Sequence, residues 1–146
     1  AWDQSIATNL RPHYFTAQAV APDMKVSGGG VIINMSSISY MMGNAGYPAY
    51  MAAKAGIMGL TRGLARELGP DNIRVNAVMP GWILTERQRE LWATDEGVAA
   101  HIQRQCLKRE LVPQVMVEPV LFLSSKASAA MTSQSIVVDG GVVFGA

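Results

Sequence analysis

Three short apolar runs, separated by stretches of helical periodicity, constrain the fold of this chain more than any other feature. The runs are residues 31–35, 73–78 and 136–138, and each is rich in valine and isoleucine. Runs of this kind are typical of strands that are covered on both faces of a parallel sheet. Strands that alternate with helices predict an α/β fold with right-handed crossovers.

Helices are expected over residues 2–20, from residue 47 or 49 to 68, over 85–105, and over 118–123. The second of these has apolar residues at spacings of three and four, which predicts one buried stripe. The stripe consists of Ile57, Leu60, Leu64 and Leu68. Gly56, Gly59 and Gly63 lie in the same helix, where each costs about 1 kcal/mol relative to alanine. Small residues at helical spacing predict close packing against a neighbouring element.

Only three strands are visible, whereas a doubly wound nucleotide-binding sheet has about six. The glycines at 28–30 precede a strand, so they predict a turn and not the phosphate-binding loop that follows the first strand of such a sheet. Three further strand–helix units of about 30 residues each would add roughly 100 residues upstream. We therefore expect a Rossmann-like, doubly wound parallel sheet of which residues 1–146 are the C-terminal catalytic and substrate-binding part. The N-terminal dinucleotide-binding half of this single domain is then missing from the chain.

Tyr50 and Lys54 are four residues apart on the predicted long helix, so they share one helix face. A free tyrosine has a pKa of about 10, which is too high for a base near neutrality. A cation within a few ångströms favours the phenolate and lowers that pKa. Alone, the pair is a weak signal, because tyrosine and lysine occur at this spacing by chance on many solvated helices.

Polar residues follow two of the predicted strands. Ser37 comes after the first strand and thirteen residues before Tyr50. The second strand is stopped by Pro80 and Gly81, and Thr85 follows. Ligands bind at the carboxyl ends of strands in open α/β sheets. We expect Gly81 to let the backbone approach a flat ligand, and Thr85 to bond an amide or phosphate.

Five motifs together resemble the short-chain dehydrogenase/reductase family in their order and spacing. They are Asn9, Ser36-Ser37, Tyr50-x-x-x-Lys54, Asn76-x-x-x-Pro80-Gly81-x-x-x-Thr85 and Asp139-Gly140-Gly141. The resemblance covers nearly the whole chain. It departs from the family at Ser133, where a glycine is often found. If that position needs a positive φ, Ser133 strains the turn.

The resemblance implies a role for each matching residue. Tyr50 is then the catalytic acid/base, and Lys54 binds the nicotinamide ribose and lowers the Tyr50 pKa. Ser37 holds the substrate oxygen, and Asn9 orders a water molecule that connects Lys54 to solvent. Further residues are expected to contact the cofactor, which is NAD or NADP. They are Pro80, Gly81, Ile83 and Thr85.

Segments 86–88, 94–97 and 105–108 look like those of the aldose 1-dehydrogenases of this family. That resemblance implies oxidation of the C1 hydroxyl of a xylose-like aldose to the lactone by hydride transfer. Four residues on the surrounding loops are expected to border the substrate, because they can bond or stack on a sugar. They are Asn44, Tyr47, Trp82 and Gln88. A 3-oxoacyl or other carbonyl reductase of the same family, or an inactive fragment, are the alternatives, and the isolated chain is expected to be inactive.

Charge and composition argue against several other classes of protein. The net charge is only +1, with no basic stripe, so we expect no nucleic-acid partner. No run of eighteen apolar residues occurs, so we expect no membrane span. No cluster of side chains has metal-ligand spacing, so no metal is expected.

Residue usage also bears on location and assembly. Cys106 is the only cysteine, which fits a reducing compartment and a cytoplasmic location. Charged residues make up 16% of the chain, below the usual quarter, which favours a homo-oligomer. By the family resemblance this is a tetramer. The two histidines, His13 and His101, are interpreted as structural or exposed, although His13 lies four residues after Asn9 and a minor site role stays open.

Overall fold

The computed structural model of the protein describes residues 1–144, and its centre is a parallel sheet of three strands in the order β1-β2-β3. The strands are β1 (Gly30–Met35), β2 (Ile73–Pro80) and β3 (Ser135–Val138). The helices are α1 (Trp2–Asn9), α2 (Arg11–Val26), α3 (Ser39–Met42), α4 (Pro48–Leu68), α5 (Glu86–Leu91), α6 (Asp95–Arg104) and α7 (Val117–Ser124). The predicted α/β fold with three parallel strands and flanking helices is confirmed.

The register of the sheet brings the carboxyl ends of β1 and β2 together. Met35, the last residue of β1, pairs with Val78 near the end of β2. The chain after β1 stays attached to β2, because the amide of Ser36 donates to the Val78 carbonyl at 2.9 Å. The segments that follow the two strands therefore lie side by side at one edge of the sheet.

Helix α4 begins and ends where the sequence predicts. Pro48 occupies its first turn, where the missing N–H removes no helical hydrogen bond. Its apolar stripe packs on the sheet, with Ile57, Leu64 and Leu68 buried. Of the three glycines, Gly56 alone is in close contact within the described residues: a Cβ there would lie 3.0 Å from Leu10 Cδ2.

The predicted helix over residues 2–20 is two helices, α1 and α2, so that prediction is wrong in its bounds. The break falls at Leu10, whose φ of −116° is far from the value near −63° of a regular α-helix. Pro12 explains it, because a residue without an N–H cannot bond the carbonyl of Thr8 and continue the first helix. The second helix also extends further than predicted, to Val26.

The predicted helix over residues 85–105 is likewise two helices, α5 and α6. Each begins at a threonine whose hydroxyl caps it: Thr85 Oγ1 accepts from the Gln88 amide, and Thr94 Oγ1 accepts from the Gly97 amide, both at 3.1 Å. Threonine at these positions satisfies an otherwise unpaired amide of the first turn. A second cap in the middle of the segment starts a new helix.

Ser133 adopts the left-handed conformation that is expected at this position if the family's glycine is there for its positive φ. Its φ is +65°, and its amide donates to the Val75 carbonyl at 2.7 Å. The turn that leads into β3 is thus held to the central strand through a residue with a Cβ in a region that favours glycine.

Candidate active site

A cleft of about 980 Å³ lies at the carboxyl ends of β1 and β2. Its walls come from the segment after β1, the first turns of α4, the segment after β2, and helices α5 and α6. Most of the predicted site residues line it. They are Ser37, Asn44, Tyr47, Tyr50, Lys54, Pro80, Gly81, Trp82, Ile83 and Gln88.

The two serines after β1 have different contacts. Ser36 is buried, and its hydroxyl donates to the Lys54 carbonyl at 2.7 Å, which ties the strand end to α4. The hydroxyl of Ser37 accepts from the Ser39 amide at 3.1 Å and lies at the wall of the cleft. Ser36 therefore supports the site, whereas Ser37 presents a hydroxyl to it.

Tyr50 is half-buried in the cleft wall, with its ring edge-to-face against Tyr47 at a centroid distance of 6.0 Å. Burial raises the pKa of Tyr50 above its ordinary value, because removal from water disfavours the phenolate. The Ser37 hydroxyl acts in the opposite direction, and Tyr47 adds to the rise of that pKa. The phenol is therefore protonated at neutral pH in this arrangement.

Lys54 lies beside this phenol, one helical turn further along α4. Its ammonium donates to the Met35 carbonyl at 3.1 Å and stands 5.6 Å from the centroid of the Tyr50 ring. Burial lowers the pKa of Lys54. The predicted lowering of the Tyr50 pKa by Lys54 is not found in this structure, where burial is the largest influence on the pKa of the phenol.

The donors and walls of the cleft fit a nicotinamide riboside. An ammonium has three donors, and the described structure gives Lys54 one hydrogen bond, to Met35. Its other donors suit the vicinal hydroxyls of a ribose. Pro80, Gly81 and Ile83 form another part of the same wall, where a flat ring can lie against backbone.

Gly81 is required by packing within the protein, which the sequence analysis did not predict. A Cβ at this position would lie 2.8 Å from both Cα and Cβ of Asp139. Asp139 is itself fixed, because its carboxylate accepts hydrogen bonds from the amides of Gly141, Val142 and Val143 at 2.7 to 3.0 Å. The close approach at Gly81 is thus to the chain after β3, and the expected approach of the backbone to a ligand stays a prediction.

Two predicted site residues do not line the cleft. Asn9 ends α1, and its side-chain amide donates to the Ser5 carbonyl at 3.1 Å within the same helix. Thr85 uses its hydroxyl to cap α5, as described above. Their proposed contacts with a water molecule and with the cofactor stay predictions.

Helix α6 contributes a residue that the sequence analysis did not place in the site. His101 lines the cleft, and its ring meets that of Trp82 edge-to-face at a centroid distance of 5.3 Å. The Trp82 indole N–H donates to Gln88 Oε1 at 2.9 Å. The spacing of Gly97, His101 and Arg104, four and then three residues, marks one face of α6 and is the signal that could have found it.

The other histidine, His13, lies outside the cleft. Its Nδ1 is 3.2 Å from the Asn34 Oδ1, and the Asn34 amide donates to Thr61 Oγ1 at 2.9 Å. This network joins α2, β1 and α4, which agrees with a structural interpretation of His13.

Within residues 1–144, no group of three or more potential metal ligands comes together. Over the same range, none of the helices combines the length and the hydropathy that a membrane span needs.

A parallel α/β sheet with serine, tyrosine and lysine side chains at its strand ends has the architecture of a Rossmann-type oxidoreductase. Comparison with known proteins agrees: a family model described as Enoyl-(Acyl carrier protein) reductase matches residues 1–143. The chain belongs to the short-chain dehydrogenase/reductase family.

Individual relatives support the same assignment. The chain is 57% identical over 142 residues to a probable galactose dehydrogenase of Rhizobium meliloti, covering 97% of this chain and 56% of that protein. It is 49% identical over 140 residues to a D-xylose 1-dehydrogenase of Caulobacter vibrioides, covering 96% of this chain and 56% of the relative. The chain thus spans little more than half the length of these relatives. A solved 7α-hydroxysteroid dehydrogenase, complexed with NADH and 7-oxo glycochenodeoxycholic acid, superimposes with a TM-score of 0.87 at 34% identity, over 91% of this chain and 52% of that one.

Proposed function

We propose that this chain is the catalytic and substrate-binding part of an NAD(P)-dependent dehydrogenase that oxidises the C1 hydroxyl of an aldose to the lactone. One observation supports this most: Ser37, Tyr50 and Lys54 line the same cleft as the Trp82–Gln88 pair. The first set suits removal of a proton from a carbinol. The second offers an aromatic face and an amide to a sugar.

In this proposal each side chain of the cleft has a separate role. A bound nicotinamide supplies the hydride acceptor for C1. Ser37 holds the anomeric oxygen, and Tyr50, as the phenolate, takes its proton. Lys54 would hold the ribose hydroxyls of the cofactor and, one helical turn from Tyr50, would favour the phenolate. Tyr47 and Asn44 border the sugar on the α4 side.

The relatives favour a sugar as substrate. Two proteins to which the chain is about half identical or more bear the names of a galactose dehydrogenase and a xylose 1-dehydrogenase. The NADH complex of a structural relative supports a nicotinamide cofactor. The choice between NAD and NADP is left to experiment. Three points stay predictions: that residues 1–146 are the C-terminal part of one domain, that the protein is a homotetramer, and that it is cytoplasmic.

A reductase of an acyl or other carbonyl substrate is the second candidate. A 3-oxoacyl-[acyl-carrier-protein] reductase of Chlamydia pneumoniae is 40% identical to the chain over 143 residues, which favours it. The same acid/base pair serves both directions, because a phenol that takes a proton from a carbinol returns one to a carbonyl oxygen. The isolated chain is proposed to be inactive, since a dinucleotide-binding half would be needed to hold the cofactor.

Cofactor reduction by the full-length protein tests the proposal. NAD and NADP are supplied separately with a panel of aldoses and secondary alcohols, and NADH and NADPH with 3-oxoacyl and enoyl thioesters. Rapid reduction of one cofactor by a pentose or hexose supports an aldose dehydrogenase. Turnover of the thioesters without turnover of any sugar contradicts the proposed aldose oxidation and favours the second candidate.

A further inference from the structure

His101 has a buried ring nitrogen without a hydrogen-bond partner. The residue lies on α6 in the wall of the cleft, and its Nε2 is shielded from solvent and contacts no donor or acceptor among the described residues. A buried polar atom left unpaired is uncommon in native proteins. Such an atom in a binding cleft points to a ligand group as its partner.

The surroundings of His101 fix the direction of its ring. The ring packs edge-to-face on Trp82 with an interplanar angle of 88°. Trp82 is itself held by its hydrogen bond to Gln88. The imidazole is thus one member of a connected set of three side chains that face the cleft from α5, α6 and the end of β2.

Burial and a neighbouring cation keep the His101 ring neutral. Burial lowers its pKa, the Arg104 guanidinium lowers the pKa further, and Asp139 acts in the opposite direction. A neutral imidazole carries one donor and one acceptor nitrogen. It therefore suits a hydroxyl group, which both donates and accepts.

We propose that His101 is a specificity-determining residue that hydrogen-bonds a substrate hydroxyl remote from the oxidised carbon. This inference rests on the proposed aldose oxidation. The oxidised C1 belongs beside Ser37 and Tyr50, whereas His101 approaches the cleft from α6. A substrate hydroxyl that displaces the side chains shielding this nitrogen gives it the partner that it lacks, so removal of the hydroxyl weakens binding.

The test uses the full-length protein with an aldose that it oxidises and the monodeoxy analogues of that sugar. His101→Phe keeps a ring against Trp82 but removes both nitrogens, and His101→Gln restores a polar group of similar reach. Gln103→Ala, an exposed position on the same helix, is the control. We expect His101→Phe to lower kcat/KM roughly tenfold to a hundredfold, mainly through KM. One deoxy analogue should be oxidised equally well by the wild type and His101→Phe, and His101→Gln should recover part of the loss.

Two results would overturn the inference. One is an unchanged kcat/KM in His101→Phe. The other is an equal loss for the parent sugar and for every deoxy analogue, with no recovery in His101→Gln, which would show a purely structural role. A wild-type protein that oxidises no aldose overturns the proposed function and this inference with it. If the wild type oxidises aldoses and His101→Phe oxidises them equally well, only the inference about His101 is overturned.

Discussion

The ammonium of Lys54 lies over the ring of Tyr50, 5.6 Å from its centroid, and donates to the Met35 carbonyl. In this arrangement burial determines the direction of both pKa shifts: that of Tyr50 is raised and that of Lys54 is lowered. The two groups are therefore adjacent, and in this arrangement burial keeps the phenol in its protonated form.

The phenol titration of Tyr50 tests this arrangement. Since the pKa is raised, the phenolate forms only above the ordinary tyrosine range near pH 10, and its concentration rises with pH. Ultraviolet difference titration of the cofactor-free wild type against Tyr50→Phe isolates the signal. Lys54→Met should leave this titration nearly unchanged. A phenolate that forms near neutrality without cofactor, and disappears in Lys54→Met, would contradict the account.

The Gln105 side chain connects the end of α6 to the segment that follows it. It is buried, and its amide donates to the carbonyls of Leu107 and Arg109, both at 2.7 Å. The same segment reaches Leu111, whose carbonyl accepts from the Leu84 amide at 2.8 Å. Residues 84–111, which include α5 and α6 and are called the α5–α6 cap below, thus have their two ends held near each other.

Loss of this connection should affect both stability and substrate binding. Gln105→Ala removes two buried hydrogen bonds and leaves a void, so we expect the free energy of unfolding to fall by about 2–3 kcal/mol. KM for the substrate should rise more than kcat falls, because the cap is loosened while Tyr50 is untouched. Denaturant unfolding and steady-state kinetics of the full-length protein measure the two effects. Gln103→Ala is the matched control, and a Gln105→Ala variant indistinguishable from it would refute the prediction.

Ser133 offers a stabilising substitution. Its φ of +65° is unfavourable for a residue with a Cβ, and glycine removes that strain. After allowance for the greater freedom of glycine in the unfolded chain, Ser133→Gly should raise the free energy of unfolding by about 0.5 kcal/mol. The same substitution at Ser27, an exposed residue with a φ of −75°, should have the opposite sign. Denaturant unfolding of both variants checks the pair, and a destabilised Ser133→Gly would show that the turn is not strained.

The sequence was sufficient to predict the sheet, α4 and most of the residues that line the cleft. Strand identity follows from apolar runs, and Pro48 and the Leu68–Gly69 boundary carry local signals for the ends of α4. Because parallel strands end at one edge, Ser37 and Gly81 could be placed together before the structure was known. The cleft positions of Trp82 and Gln88 were expected from the resemblance to aldose dehydrogenases, because both residues were predicted to lie on loops around the site.

The remaining features depend on contacts between distant parts of the chain. The break at Leu10 arises from Pro12, and the break before α6 arises from the helix cap at Thr94. Hydrophobic periodicity alone predicts neither of them. Gly81 is selected by Asp139, which lies far along the chain. The sequence indicates only that His101 is structural or exposed, because its contact with Trp82 joins two different elements and is not visible in the sequence.

The most direct test of the central claim is the rate of aldose-dependent cofactor reduction in Tyr50→Phe compared with the wild-type full-length protein. Tyr14→Phe, on the exposed side of α2, is the matched control for loss of a phenol hydroxyl. The account predicts that kcat/KM falls by about 10²- to 10⁴-fold in Tyr50→Phe, with the fold intact, and stays near the wild-type value in Tyr14→Phe. A Tyr50→Phe protein that still oxidises the sugar within a few-fold of the wild-type rate would contradict it.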